Sequence, residues 1–401
     1  MTEAVIVATA RSPIGRANKG SLVSMRPDDM SAQIVKALMA KVPQIQPTMV
    51  DDLMWGIGQP AGEGGFNIAR VVAILAGLDE VPGVQVNRYC SSSLQTIRMA
   101  FHAIKAGEGD CFIAGGVETV SRYANGASDT APNPIFKEPG ARTTLRAGGG
   151  QGPWSPQAGL PDVYIAMGQT AENVVEQEGV TREEMDRFGV RSQNLACAHV
   201  DNGFFEREIT PLTLEDGTVV SKDDGPRPGT TYEAVSQLKP VFRPDGTITA
   251  GNACPLNDGA AAVVVMSDTK AKALGLTPLA RIVSTGVTGL NPEIMGLGPI
   301  GAVRQALGRA GMTMDQIDLV EINEAFACQV IGSAKHLGIN IDTQLNLHGG
   351  AIALGHPFGM TGARIMTTLI NGLQWEDKTY GLETMCVGGG QGLAMIVERL
   401  S

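Results

Sequence analysis

The strongest constraint on this chain is an alternation. Short apolar runs of strand length are separated by segments whose apolar residues recur every three or four positions. Residues 4–10, AVIVATA, have the length and composition of a buried strand. Residues 28–40 then place Met30, Ile34 and Leu38 on one helical face, with Val35 and Met39 beside it. Asp28 or Asp29, after Pro27, is the expected N-cap. Residues 83–90 read as a strand leading to Cys90, and Leu94, Ile97, Phe101 and Ile104 as an amphipathic helix. Residues 110–116, DCFIAGG, read as the next strand. An apolar strand needs helices to cover it, so this order predicts an α/β layered fold.

The C-terminal half repeats the plan. PTMVDDLMWGIGQPA (47–61) and MTMDQIDLVEINEAFA (312–327) both run from a polar, acidic stretch through an apolar strand into a loop. An internal duplication is therefore expected. Residues 122–166 break the pattern with many Pro, Gly, Ser and Thr, and are too long for a simple connection, which points to a functional insertion. A helix should follow, opened by a capping box of Thr181 and Glu184, with Met185, Phe188 and Leu195 on one face. The same region holds Arg182, Arg187, Arg191, Arg207, Lys222, Arg227, Lys239 and Arg243. From sequence these read equally as an anion site or as solvated charges offset by nearby acids.

A length of 401 residues implies two or three domains. The net charge of −10 argues against a nucleic-acid partner. MTEAVIVATARSP is too short in apolar length for a secretory signal, no apolar run nears the roughly 20 residues of a membrane span, and IVERLS shows no address motif. A cytoplasmic protein without membrane contact is the expectation. The cysteines, at 90, 111, 197, 254, 328 and 386, include no CxxC pair, and no HExxH, P-loop or strand–GxGxxG–helix unit is present. Neither a metal nor a nucleotide cofactor is expected.

Five positions are candidates for chemistry. Cys90, in VNRYCSSSL, stands at a predicted helix start, where partial positive charge and free N–H groups favour thiolate; a packed cysteine is the alternative. His356 lies among closely spaced glycines in NLHGGAIALGHPFGMTGAR (346–364), as a base for a thiol or as a satisfied loop histidine. Cys386, in ETMCVGGGQGLAMIVER (383–399), sits where a strand ends before a glycine turn. It can share a cleft with backbone N–H groups or be inert. Asn323 and Glu324, in EINEAFA, end a strand, where polar groups of α/β sheets often face a site.

Together these stretches resemble the thiolase family over nearly the whole chain. VNRYCSSSLQTIRMA resembles the loop of the acylated cysteine. NEAFA, GGAIALGHPFGMTGAR and CVGGGQG resemble three further active-site loops, in the family's order. MGQTAEN (167–173) and GTITAGNACPLNDGAAA (246–262) resemble its substrate-binding stretches. The resemblance implies a five-layered α-β-α-β-α fold of two duplicated halves with an inserted loop domain. Its boundaries would be 1–121 plus 257–277 for the first half, 122–256 for the insert and 278–401 for the second half.

It also implies an activity. Cys90 would be acylated by a 3-ketoacyl-CoA, His356 would take the thiol proton, and Cys386 would protonate the leaving acetyl-CoA carbanion. His356 and a water held by Asn323 would stabilise the enolate oxygen, and the backbone N–H groups of Cys90 and Gly388 the tetrahedral oxyanion. Arg227 would meet the nucleotide end of coenzyme A. Met167, Phe242, Ala250, Cys254, Ala325 and Phe326 would line the pantetheine tunnel or acyl pocket. CoA is then a substrate, no cofactor is called for, and a homodimer or homotetramer is expected.

Three positions depart from the family pattern. Cys254 replaces a common serine, His348 a common asparagine, and Ala166 a histidine of biosynthetic acetoacetyl-CoA thiolases. Ala166, with CSSSLQ in place of CGSGLQ, favours the degradative, β-oxidation type over the biosynthetic one. A ketoacyl synthase would need histidines at Asn323 and Cys386. A catalytically inactive acyl-CoA-binding protein is disfavoured because all four catalytic side chains are present.

Overall fold

The computed structural model describes residues 2–122 and 131–401. Residues 123–130, within the expected insertion, lie outside the described residues. The first half runs β1 (Ala4–Arg11), β2 (Gly15–Arg16), α1 (Pro27–Ala40), β3 (Asp52–Gly56), α2 (Ile68–Leu75), β4 (Gly83–Val86), α3 (Ser92–Ala106) and β5 (Cys111–Thr119). Next come α4 (Lys137–Ala147), α5 (Met167–Glu178), α6 (Arg182–Asp201), the small hairpin β6 (Leu212–Thr213) and β7 (Val219–Val220), and α7 (Tyr232–Val235). The chain then returns through β8 (Asn257–Ser267) and α8 (Asp268–Ala273). The second half runs β9 (Ala280–Gly289), α9 (Gly298–Ala310), β10 (Leu319–Ile322), α10 (Ala327–Leu337), α11 (Ala351–Leu354), α12 (Thr361–Trp375), β11 (Tyr380–Val387) and β12 (Gln391–Arg399).

The main sheet is ordered β10-β11-β12-β9-β1-β8-β5-β3-β4, with β2 paired off β8. Its topology shows the duplication. In the first half β3 is parallel to β4 and β5, β5 is antiparallel to β8, and β8 is antiparallel to β1. In the second, β10 is parallel to β11, β11 antiparallel to β12, and β12 antiparallel to β9. A parallel bridge from Val320 to Leu345 takes the place of β4. The two stretches that look alike in sequence occupy matching places, each a short 3-10 turn (Pro47–Met49 and Met314–Gln316) entering β3 and β10. A short antiparallel contact of β1 with β9 joins the halves, with Val5 opposite Arg281 and Ile6 opposite Ala280.

Three apolar clusters fill the spaces between layers. The central one holds Leu94 and Ile97 of α3 against Ile365, Met366 and Leu369 of α12, with Ile6 and Met385 from the two half-sheets. Another packs α1 and α2 on the far face of the first half, and the third packs α9 and α10 on the far face of the second. The layers therefore run helix, sheet, paired helices, sheet, helix.

Local departures from the sequence expectations have simple causes. Helix α1 is capped at Arg26, with Pro27 in its first turn, so Asp28 and Asp29 fall inside the helix. Asp28 accepts the Arg26 guanidinium at 3.0 and 2.9 Å. Strand β4 stops at Val86 rather than continuing to Cys90, because the chain turns at Tyr89. The capping box at Thr181 and Glu184 forms as expected.

Candidate active site

The turn before α3 is held by its own polar groups. Tyr89 has φ +44°, a left-handed conformation costly for a non-glycine residue. Its N–H donates to Asn87 Oδ1 at 2.8 Å, and the Arg88 N–H donates to Ser92 Oγ at 2.9 Å. The serines after Cys90 do not cap α3 with their side chains. Ser92 closes the turn, and Ser93 Oγ accepts the Ala363 N–H at 2.9 Å, tying α3 to α12. At that contact Gly362 comes so close that an added Cβ would lie 2.3 Å from the Leu94 nitrogen. Cys90, buried, therefore sits where the starts of α3 and α12 meet.

The hairpin between β11 and β12 reaches the same place. Gly389 and Gly390, with φ of +75° and +79°, make its turn. The Gly388 N–H before them lies close enough to the Cys90 thiol to favour its thiolate form. Arg88 fixes this approach: its Nη1 donates to Gln391 Oε1 at 2.6 Å, and Gln391 Nε2 donates to the Gly388 carbonyl at 3.1 Å. Cys386 is buried two residues upstream, electrostatically coupled to Cys90 and Cys254.

His356 and Asn323 complete the group. Asn323 follows β10 and donates its backbone N–H to Thr384 O at 3.0 Å, which sets it beside the end of β11. Its Nδ2 lies 3.3 Å from His356 Nε2, and its buried Oδ1 has no hydrogen-bond partner among the described residues. His356 Nδ1 lies 2.7 Å from Thr361 Oγ1, and the His356 backbone N–H donates to Asn257 Oδ1 at 3.0 Å. Glu324, by contrast, is a brace. It accepts from Ser192, Asn346 and Ile352 at 2.6, 2.8 and 3.0 Å, linking α6 to the loops after β10.

Burial decides the resting charges. It pushes the Cys90 thiol up to about 12, against the Gly388 N–H, which favours thiolate. Burial and then the nearby Arg364 push His356 down to about 3. The expectation that the helix start alone would favour thiolate at Cys90 therefore fails in the closed site. The resting pair is a neutral thiol and a neutral imidazole. Burial also raises Cys386 and Cys254.

A cavity of ≈ 220 Å³ is lined by Arg227, Phe242, Ala250 and Cys254, together with Arg16 and Gln193. Ala325 and Phe326 are joined to its wall. The Cys254 N–H donates to Ala325 O at 3.1 Å, and the Phe326 ring stands edge-on to Phe242 at 6.1 Å. Met167 is half-buried against the apolar cluster that contains Phe326 and Cys386. The basic residues of the middle region do not form one cationic site. Arg182 pairs with Asp186, Arg187 with Glu183 and Arg243 with Glu176, while Arg191 donates to the carbonyls of Ile341 and Leu345.

The sequence reading missed Glu118. It lies buried near the end of β5 and accepts N–H groups of Gly58, Gln59 and Gly359 at 2.8, 3.1 and 2.9 Å. It thereby anchors the loop of His356 to the first half. A polar residue at the carboxyl end of a predicted strand was the available signal, the same one that marked Asn323.

Residues 4–269 match the family described as "Thiolase, N-terminal domain" and residues 276–399 "Thiolase, C-terminal domain". The chain belongs to the thiolase family and is an acyltransferase. It is 44% identical over 407 residues to a 3-ketoacyl-CoA thiolase of Shewanella loihica, and 42% identical over 411 residues to a beta-ketoadipyl-CoA thiolase of Acinetobacter baylyi, each match covering 100% of both chains. The solved acetyl-CoA acetyltransferase of Bacillus anthracis superposes with a TM-score of 0.86 at 38% identity, covering 100% of this chain and 99% of that one. Among the described residues no helix is long and apolar enough to cross a membrane, and no group of three or more His, Cys, Asp or Glu is placed to hold a metal ion.

Proposed function

We propose that this chain is a degradative-type thiolase that cleaves 3-ketoacyl-CoA with CoA, giving acetyl-CoA and a shortened acyl-CoA. The observation that carries the reading is the meeting of the α3 and α12 starts, so close that Gly362 tolerates no Cβ against Leu94, which brings the turn of Cys90 to the loop of His356, with Asn323 Nδ2 3.3 Å from His356 Nε2. His356 Nε2 takes the Cys90 proton as the sulfur attacks the 3-keto carbon, so the thiolate forms only as it reacts. The Gly388 and Cys90 N–H groups stabilise the oxyanion; one such donor is typically worth roughly 3–4 kcal/mol. As the Cα–Cβ bond breaks, its electrons pass to the acetyl-CoA enolate. Protonated His356 and a water accepted by Asn323 Oδ1 hold the enolate oxygen, and Cys386 gives its proton to the carbon. CoA then enters, loses its thiol proton to the site, and releases the acyl group from Cys90. No step needs a cofactor.

The cavity at Arg227, Phe242, Ala250 and Cys254 suits the pantetheine arm, with exposed Arg227 toward the nucleotide end. Cys254 replaces a hydroxyl there with a weaker hydrogen-bonding thiol. A role in β-oxidation, a cytoplasmic location and a homodimeric or homotetrameric state complete the proposal, on the strength of the family resemblance.

A second reading, acetoacetyl-CoA synthesis, is favoured by the acetyl-CoA acetyltransferase likeness. Against it, Ala166 carries no imidazole and stands exposed on a groove of ≈ 630 Å³ lined also by Pro134, Phe136, Tyr164 and Ile165. Steady-state thiolysis across 3-ketoacyl-CoA substrates from four carbons upward tests the choice. kcat/KM is expected to rise toward medium chains, and Ala166→His to depress the longer ones selectively. One buried methylene discriminates by only roughly 10–200-fold. An enzyme that cleaves the four-carbon substrate alone would return the chain to the biosynthetic type.

A further inference from the structure

His356 makes one hydrogen bond through each ring nitrogen, and the partner of Nδ1 is a residue outside the proposed reaction. Thr361 Oγ1 lies 2.7 Å from His356 Nδ1 and also 2.7 Å from the Pro357 carbonyl oxygen. A hydroxyl carries one proton. Two oxygens 2.7 Å apart without a proton between them repel, and a carbonyl has no proton to give, so the hydroxyl proton lies on the line to Pro357. The 2.7 Å contact with Nδ1 then needs a proton from the imidazole. Thr361 and His356 are buried, so no solvent competes for these bonds. On the opposite side of the ring Asn323 Nδ2, which can only donate, faces Nε2 at 3.3 Å.

We propose that Thr361 is a positioning residue that locks His356 in the tautomer protonated at Nδ1, leaving the Nε2 lone pair free for the Cys90 proton. This rests on the reading of His356 as the base. Thr361 itself touches no reacting atom. It opens α12 and its hydroxyl returns to a carbonyl four residues earlier, so the helix start fixes the direction of both hydrogen bonds. A serine keeps that hydroxyl. Valine keeps the shape and removes both bonds. Freed from Thr361, the ring has no acceptor for an Nδ1 proton, and the tautomer protonated at Nε2, which cannot take the thiol proton, gains population.

The test is long-range proton–nitrogen NMR of the full-length protein labelled with nitrogen-15 in histidine, with His356 assigned by the signal missing in His356→Gln. The wild-type protein is expected to show a protonated Nδ1 and a bare Nε2, and Thr361→Ser the same pattern. Thr361→Val should shift His356 toward the opposite tautomer and lower kcat of thiolysis by at least roughly 10-fold, with KM little changed. A fully mis-set tautomer costs a hydrolase triad about 10⁴-fold. A wild-type His356 protonated at Nε2 overturns the proposal, as does a Thr361→Val protein with an unaltered tautomer. Should Thr361→Val not fold, the wild-type and Thr361→Ser spectra decide alone. The spectra need no turnover, so a protein with the expected tautomer but no thiolysis would count against the proposed function and leave the tautomer lock intact.

Discussion

Two buried histidines make part of this fold's stability acid-sensitive, and one substitution can dissect that part. His348 is buried, stacked on Phe204 with ring centroids 4.0 Å apart and planes within 5°. His199 stands edge-on at 4.7 Å. The nearest carboxylate oxygen, on Glu376, is 3.4 Å from Nε2 and belongs to a side chain 37% exposed, too loose a partner to offset burial. Burial first and His199 second push His348 down to about 3. The unfolded value is about 6.5, so between these limits the unfolded chain binds a proton that the folded chain refuses. Stability therefore falls as pH falls through this window. From pH 7 to pH 5 one such histidine removes about 2 kcal/mol.

His356 has the same folded value and adds about as much, so the wild-type loss from these two groups is about 4 kcal/mol. His348→Asn gives up the stack on Phe204, at a pH-independent cost of roughly 0.5–3 kcal/mol. It also removes one titrating group, so its loss between pH 7 and pH 5 should be smaller than the wild-type loss by about 2 kcal/mol. Urea unfolding of both proteins at the two pH values measures this difference directly. The absolute stability at either pH is irrelevant. Equal losses in the two proteins would refute the reasoning, because they would mean His348 takes up its proton in the folded state as readily as in the unfolded one.

Cys90→Ala is expected to abolish both thiolysis and covalent acylation, read by intact-protein mass spectrometry after acyl-CoA treatment; an adduct that persists would place the nucleophile elsewhere. Cys386→Ala should still be acylated at Cys90 yet lose carbon–carbon cleavage, a loss in kcat that single-turnover acylation would not share. Glu118→Gln places an amide donor against at least one of the three N–H groups its carboxylate now accepts, costing about 1–3 kcal/mol. A lowered melting midpoint checks that change, and an unmoved midpoint would mean that the anchor of the His356 loop does not depend on the carboxylate.

Apolar runs alone predicted an α/β layered class because strands such as β1 and β5 are buried almost end to end, whereas the five-layer arrangement was implied by the family resemblance. Continuous apolar runs of that kind leave little else for a segment to be. Where polar residues decide, the sequence was less explicit. The end of β4 was overrun because a left-handed backbone at the non-glycine Tyr89 is rare; the local bonds from Tyr89 to Asn87 and from Arg88 to Ser92 hold it only together with the tertiary bond of Arg88 to Gln391. The serines after Cys90 look like caps, yet Ser93 is spent on α12, a partner 270 positions away in the chain. The charge state of Cys90 was misjudged for a reason of magnitude. A helix terminus is worth roughly 0.3–1 kcal/mol, whereas full burial shifts a thiol by up to several pKa units.

The duplication explains why the reactive groups meet at all. Helix α3 follows the outer strand of the first half and precedes β5; α12 holds the same place in the second half, before β11. Cys90 stands just before α3 and His356 just before α12, so the proposed nucleophile and base come from matching positions of two copies of one unit. The two helices pack side by side in the central layer, closely enough that Gly362 tolerates no Cβ against Leu94. Their starts then necessarily face one another. The strands that follow repeat the logic with different contents. Near the end of β5 stands Glu118, which grips the His356 loop, and near the end of β11 stands Cys386. One copy's strand end holds the other copy's catalytic loop, and the second copy's strand end supplies a thiol. A symmetric scaffold thus brings the groups together, and unlike residues at its matching positions divide the proposed labour among nucleophile, base, acid and anchor.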